Sequence, residues 1–466
     1  MIDERLSIDA AAREHGERVA VVTRDREITF GEIAAMCAQA EAGDGSGSGG
    51  GYGSGTGTGS GSGTGSGSGT GTGSGSGTGS GGGSGTGSGT GSGYRWLLAT
   101  PTLATLVAVY RALASARPLA LLHPRHPPAE LERQRELLVT HAHCVPRETA
   151  VILFTSGSTG RARGVALSRA ALVAAADAHA AHVPFRDDDR WLVCLPLAHA
   201  GGLAIVVRCL VARRALVLHE GDFEPARLAR LAAERRATLA SLVPAQLDAL
   251  LPHLDAPLRA ILLGGAPASP ALLAAARHLP VHLTYGLTES FGQVATSREP
   301  HAPPVALPGV TLAGGSARAP APICIRAPQL ATAYLDGAPI APELVTADLG
   351  HIDDAGALHV AGRADDVIIS GGENVHPTEI EAVLAATRGV RAACAFGVPD
   401  ARWGQLVAAA LVVDAAFDRP AAEAAWHARL APHARPRRLA FVSALPMLAS
   451  GKPDRRAAAA LLTDPA

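Results

Sequence analysis

VILFTSGSTGRARG, residues 151–164, decides how this chain is read. Four apolar residues make a short strand, and the six that follow carry no large side chain. Glycine admits positive φ, so backbone N–H groups can converge on one point, and the hydroxyls of Ser156, Ser158 and Thr159 add donors. Arg163 then brings a positive charge. A strand that runs straight into such a loop is suited to holding an anion. It is not the G-x-x-x-x-G-K-[ST] loop, which needs a lysine followed by Ser or Thr. Read alone, an ordinary Gly/Ser turn would look the same.

Working outward, short apolar runs alternate with helical stretches. WLVCLPL, RALVLHE, ATLASLVP, LRAILLGG and VHLTYG each end in a breaker or a polar residue before a helix-like segment. That alternation predicts an α/β fold with mostly parallel sheets flanked by helices. Near the start, RVAVVTRDREITFGEIAAMCAQAEA reads as two strands and a helix capped near Thr29. WLLATPTLATLVAVYRALASARPLALLHPRHPPAELERQRELL reads as helix, strand, proline turn and helix. Beyond Arg363 the pattern changes to a small α+β unit, which divides the chain into domains at 1–362 and 363–466. Residues 43–93 are almost wholly Gly, Ser and Thr, with nothing to bury and maximal entropy to lose, and predict a disordered insert.

Composition narrows the partners. The chain has 466 residues, and its 41 Lys plus Arg nearly cancel 42 Asp plus Glu, which leaves no field for gathering nucleic acid. Six dispersed cysteines form no CxxC pair, and the charged N-terminal segment lacks a signal-peptide core. No run is long and apolar enough to span a membrane, so a cytoplasmic protein acting on a small molecule is expected.

Five stretches in order change the standing of the opening loop. TSGSTGRARG, YGLTES, TADLGHID, GRADDVIISGGENVHPTEIE and SGKPDRR together resemble the adenylate-forming enzymes, a family of acyl-CoA synthetases, adenylation domains and luciferases. The likeness covers nearly all of the chain outside 43–93. It implies a large N-terminal domain with a small mobile C-terminal lid, and ATP, Mg2+ and CoA as the molecules handled. By the same likeness Thr155, Ser156, Gly157, Ser158, Thr159, Gly160 and Arg163 would wrap phosphates. Tyr285 and Gly286 would meet adenine beside Gly264, Gly265, Ala266 and Pro267, Thr288 would meet phosphate, and Glu289 would hold Mg2+. Asp348 and Arg363 would hold the ribose, Lys452 would reach the reacting phosphate, Asp365 would be the hinge, and Gly371 and Gly372 would line the thiol path. Taken one at a time, Asp348 reads as a turn residue, Tyr285 as a core aromatic and Lys452 as a surface lysine.

The chemistry agrees with those roles. A carboxylate attacking phosphorus brings two anions together, which calls for cations at the point of attack. This chain has Ala162 and Arg163 where the family usually has Pro and Lys, and Ala347 where glycine is usual. The insert stands where relatives have helix and strand, so an incomplete outer sheet of lowered stability is expected.

For the acid, WLVCLPLAHAGGLAIVVRCLVARRALVL, SLVPAQLDALL and TYGLTESFGQVAT resemble the o-succinylbenzoate:CoA ligase branch, whose substrate is a dicarboxylate. Arg208 lies inside an apolar helix, where an unpaired guanidinium is costly; it calls either for an internal carboxylate or for the free carboxylate of a substrate. His199 precedes a Gly pair and reads as a substrate-steering or a structural residue. A ligase for another aryl or medium-chain acid, a carrier-loading adenylation protein and an inactive nucleotide-binding relic are the alternatives. Only fourteen residues follow Lys452, too few for an attached carrier, so free CoA is expected.

Overall fold

The computed structural model describes residues 3–45, 88–91, 94–155, 163–448 and 452–462. The nine-stranded sheet at its centre is parallel through its middle. Val19–Val22, Ala215–Leu218, Arg190–Val193, Leu239–Leu242, Ala260–Leu263 and Val281–Leu287 lie side by side in that order, all pairing parallel. Antiparallel strands close both edges. Ala215–Leu218, Leu239–Leu242 and Ala260–Leu263 are buried along their whole length, which is why they are nearly continuous stretches of Val, Leu, Ile and Ala.

A six-stranded sheet carries the opening motif. Thr149–Thr155 pairs antiparallel with Arg163–Ser168 and parallel with Leu119–Leu122. Tyr94–Leu98, the segment read as the start of a helix, is instead a strand parallel to Leu119–Leu122. Helix Leu103–Leu113 begins only at the Thr102 cap, whose side chain accepts from the Thr105 N–H.

The expectation for 43–93 also needs correction at both ends. Helix Phe30–Gly45 runs on through residues 43–45, and Ser88–Gly91 forms the outer strand of the six-stranded sheet against Tyr94–Leu98. Composition misled here because a backbone ladder needs no side chain to pair. Residues 46–87 and 92–93 lie outside the described residues.

A third sheet, entirely antiparallel and not foreseen, joins Thr311–Ala313, Ala321–Arg326, Leu344–Ile352 and Leu358–Arg363. Its last strand ends at Arg363, a short turn Ala364–Asp366 follows, and the next sheet starts at Ile368. That final sheet pairs Val390–Asp400 with Gly404–Val413 and packs helices Pro377–Ala385 and Arg419–Arg429 around its own core, in which Ile380, Leu384 and Trp426 are buried. The other three sheets share an apolar core that runs from Leu6 to Leu358 through helix Ala200–Ala212. No helix among the described residues is long and apolar enough to cross a membrane.

Candidate active site

Parallel sheets present ligands at the carboxyl ends of their strands, and the predicted residues converge there. Gly264 follows strand Ala260–Leu263, its N–H donating to Leu242 O at 3.1 Å, and opens the turn that holds Gly265, Ala266 and Pro267. On the neighbouring strand Val281–Leu287 lies Tyr285, with a register shift between it and Gly286. A Cβ on Gly286 would lie 1.7 Å from Gly292 O, so only glycine lets the two strands close at this point. The strand then breaks into the turn Thr288–Ser290, which carries Glu289 and is tied down by the Leu287 N–H donating to Ser290 Oγ at 3.2 Å.

Asp348 stands at the meeting of two sheets. It accepts from Tyr285 Oη at 2.8 Å on one oxygen and from Arg363 Nη1 at 3.1 Å on the other. Arg363, opposite Asp348 in the strand register, also donates to both oxygens of Asp365, at 2.9 and 3.0 Å. Burial pulls the Arg363 pKa down, but the bonds to Asp365 and the charge of Asp348 outweigh it and the net shift is upward. Burial, with the Asp348 charge, pushes the Tyr285 hydroxyl up, so it remains a donor.

Lys452 comes from the C-terminal unit into this cluster. Its carbonyl accepts from the Leu448 N–H at 2.8 Å, and Asp454 N–H returns to Pro446 O at 2.8 Å, so the lysine sits on a closed loop. Arg455, next along, donates to Glu381, to Asp366 at 3.2 Å and to Ala395 O at 2.7 Å, which fastens that loop to the C-terminal core. The Lys452 residue is solvent-exposed, yet enough protein lies around its ammonium to shift its pKa. Burial lowers its pKa; Asp348 most strongly, then Asp366 and Glu289, pull it up, while Arg363 pushes it down. His199 in turn feels the Lys452 charge. Lys452 therefore lies within electrostatic reach of Glu289, Asp348, Arg363 and His199, which bound the candidate cleft.

The Gly/Ser-rich loop after strand Thr149–Thr155 is described only at its two ends. Thr155 and Arg163 face each other in the strand register, with Thr155 Oγ1 donating to Arg163 O at 3.4 Å. Ser156, Gly157, Ser158, Thr159 and Gly160 lie outside the described residues.

Along helix Ala200–Ala212 the polar groups lack partners. His199 is its N-cap residue and makes no side-chain cap bond. Its Nε2 and that of His123 are both buried without a partner, the two rings being 5.0 Å apart. Burial drives His199 down to about 4 and His123 to about 3. His123 Nδ1 accepts from the Arg125 N–H at 3.1 Å, so the ring proton resides on Nε2, the atom left without a partner. Arg208 is 4 % exposed and has no carboxylate partner among the described residues; its Nε is unsatisfied, and Trp191 lies 5.5 Å below the guanidinium. Burial lowers its pKa to about 9. His179 beside it is pushed well down, by burial first and then by the Arg208 charge, and its Nε2 is also bare. The internal salt bridge that would have explained Arg208 is absent from the described residues.

Gly371 and Gly372 are not brought to the cleft. They form an exposed turn at φ +64° and +87°, and Gly371 N–H donates to Trp403 O at 2.9 Å. Among the described residues no three His, Cys, Asp or Glu are placed to hold a metal, and all six cysteines are free. Sequence reasoning missed Tyr334, His123, His126, His179 and Asp366. The two histidines of HPRHPP flank a proline turn at the end of a sheet strand and could have been found. Tyr334 had no local signal, because what matters is the pair of sheets it spans.

Two family matches cover the same ground. Residues 101–335 match the AMP-binding enzyme family and residues 379–452 match its C-terminal domain. The chain belongs to the AMP-binding enzyme family. Among its relatives, the 2-succinylbenzoate--CoA ligase of Bacillus licheniformis is 33 % identical over 332 residues, covering 66 % of this chain and 68 % of the relative. That of Listeria monocytogenes is 30 % identical over 326 residues, with the same coverage. The fold matches o-succinylbenzoate CoA synthetase from Bacillus subtilis in complex with its acyl-adenylate intermediate, at TM-score 0.78, 23 % identity and 98 % of both chains. It also matches ATP-bound MatB from Rhodopseudomonas palustris, at TM-score 0.75, 21 % identity and 98 % of both chains.

Proposed function

We propose that this protein is an AMP-forming acid:CoA ligase that activates o-succinylbenzoate through an acyl adenylate. The observation that carries the reading is the gathering of Lys452, from the C-terminal unit, into the charge field of Asp348 and Glu289 from the larger one, near enough for its own charge to reach His199. ATP lies with its ribose hydroxyls on Asp348 and Arg363, its adenine against Tyr285 and the Gly264 turn, and its phosphates under the Thr155 to Arg163 loop. The substrate carboxylate attacks the α-phosphorus, pyrophosphate leaves, and the Lys452 ammonium meets the negative charge that builds on the phosphoryl oxygens. The hard carboxylate oxygens of Glu289 fit Mg2+, since Tyr334 takes one of them and the other has no protein partner among the described residues. When bound, the ion neutralises phosphate charge during the displacement.

Arg208 supports the choice of a dicarboxylate. One carboxyl is consumed in the reaction, and a buried cation with no carboxylate partner among the described residues, beside a bare histidine nitrogen, calls for a second. The curated relatives named as 2-succinylbenzoate ligases favour the same acid. Thioester formation then needs Lys452 withdrawn so that the thiol of CoA can enter, by a swing about Asp365 that carries Gly371 and Gly372 toward the nucleotide. The free cysteines suit a reducing, cytoplasmic setting.

The test is a coupled assay with ATP, Mg2+, CoA and a panel of acids. Thioester and AMP formed with o-succinylbenzoate, well above succinate or benzoate, support the proposal. Equal rates with monocarboxylic acids would remove the dicarboxylate assignment, and pyrophosphate release without thioester would point to a carrier-bound thiol instead.

A further inference from the structure

Glu289 and Arg163 reach the cleft from different sheets, and a single side chain touches both. Tyr334 belongs to the two-residue strand Ala333–Tyr334, which pairs with Val165 and Ala166 at the edge of the six-stranded sheet. The same segment is tied to the nine-stranded sheet, since Ala331 N–H donates to Glu289 O at 2.7 Å. The Tyr334 hydroxyl donates to Glu289 Oε1 at 3.1 Å, while the Arg163 guanidinium lies 3.4 Å above the centroid of its ring.

These contacts do different things to their two targets. A carboxylate left to itself rotates freely, and a bond to one oxygen removes that freedom before any ligand arrives. A guanidinium stacked on a ring uses only its face, so its in-plane N–H groups remain available to phosphate oxygens. The carboxylate contact of Arg163, Asp336 at 3.4 Å, is long and half exposed and holds it weakly. Tyr334 packs one side against the apolar core without being enclosed by it. It is only partly buried and borders a cavity lined also by Leu137, His141 and Asp336.

We infer that Tyr334 is a positioning residue of the nucleotide site: its hydroxyl sets the Glu289 carboxylate for the metal on the phosphates, and its ring sets Arg163 for the phosphates themselves. This rests on the reading of the cleft as an ATP site. It assigns the AYLDG segment a purpose that none of the five sequence motifs covers.

The test is calorimetric titration of the intact protein with ATP, without Mg2+ and at rising Mg2+, for wild type, Tyr334→Phe and Tyr334→Leu. Loss of one hydrogen bond to a charged group predicts that Tyr334→Phe needs about tenfold more Mg2+ for tight ATP binding while Mg2+-free binding is unchanged. Its thermal midpoint should stay within about 2 °C of wild type. Tyr334→Leu, which also loses the ring, should weaken Mg2+-free ATP binding by about fivefold. Wild-type Mg2+ dependence in Tyr334→Phe, or an equal loss with and without Mg2+, overturns the inference while leaving the ATP site standing. Wild-type protein that binds no ATP overturns both. If Tyr334→Leu fails to fold, Tyr334→Phe decides alone.

Discussion

The two ends of the cleft satisfy their polar groups in opposite ways. At the nucleotide end Asp348 is held by Tyr285 and Arg363, Arg363 by Asp365, and Glu289 by Tyr334. At the end formed by helix Ala200–Ala212, Arg208 Nε and the Nε2 atoms of His199, His123 and His179 are bare. A paired end is ordered before its ligand arrives, whereas an unpaired one bears a cost that the ligand relieves. The nucleotide end should therefore survive conservative changes that abolish acid recognition, and the acid end should grow more stable when its orphan charge is removed.

The largest effect tests whether the ends share one reaction. Lys452→Ala should lower adenylate formation by about a thousandfold, the range for loss of a charge aimed at the transition state, with ATP affinity little changed. Acid-dependent pyrophosphate exchange measures it, and a loss confined to ATP binding would detach the lysine from chemistry. Next, Arg208→Met should weaken acid binding by about a hundredfold, yet raise the stability of the free protein by about 1–3 kcal/mol, because a buried unpaired charge is replaced by an apolar chain. Calorimetry and thermal melting check the two halves, and a lowered melting point would mean that Arg208 already has a partner.

At the paired end, Asp348→Ala leaves Tyr285 and Arg363 without their shared acceptor and should weaken ATP binding by about tenfold to thirtyfold, with acid affinity unaffected. The last effect is on pH. His123 titrates near 6.5 when unfolded but only near 3 in the fold, so the unfolded chain binds more protons between those values. Its contribution is complete above pH 6.5 and is lost as pH falls, at up to about 1.4 kcal/mol per pH unit. His123→Asn should flatten the fall of the melting temperature between pH 6.5 and 4.5; an unaltered slope would mean that the ring is solvated.

The elements that were legible are those whose pattern is local. The five runs from WLVCLPL to VHLTYG lie in parallel strands of the large sheet, and the three central ones were plainest because burial along the whole strand leaves an uninterrupted apolar signature. The cap at Thr29 appears as Glu32 N–H donating to Thr29 Oγ1 at 3.2 Å while Glu32 accepts from the Thr29 N–H at 2.7 Å. Tyr94–Leu98 was misread because its parallel partner Leu119–Leu122 is distant in sequence, and Ser88–Gly91 because a ladder of backbone groups leaves no trace in composition. The third sheet went unseen since its first two strands are only partly buried and carry no continuous apolar run.

By itself the sequence determined which chemical groups exist and in what order: a donor-rich loop after a strand, a carboxylate after YGLT, an arginine inside an apolar helix and a lysine near the end. Those are matters of residue type and near-neighbour spacing, which no folding can alter. Only the tertiary structure decided that Asp348 answers Tyr285 from another sheet, that Lys452 lies in the field of Glu289, and that no carboxylate among the described residues answers Arg208. Pairing and burial depend on distances between residues far apart in the chain, and those distances come into being when the sheets pack.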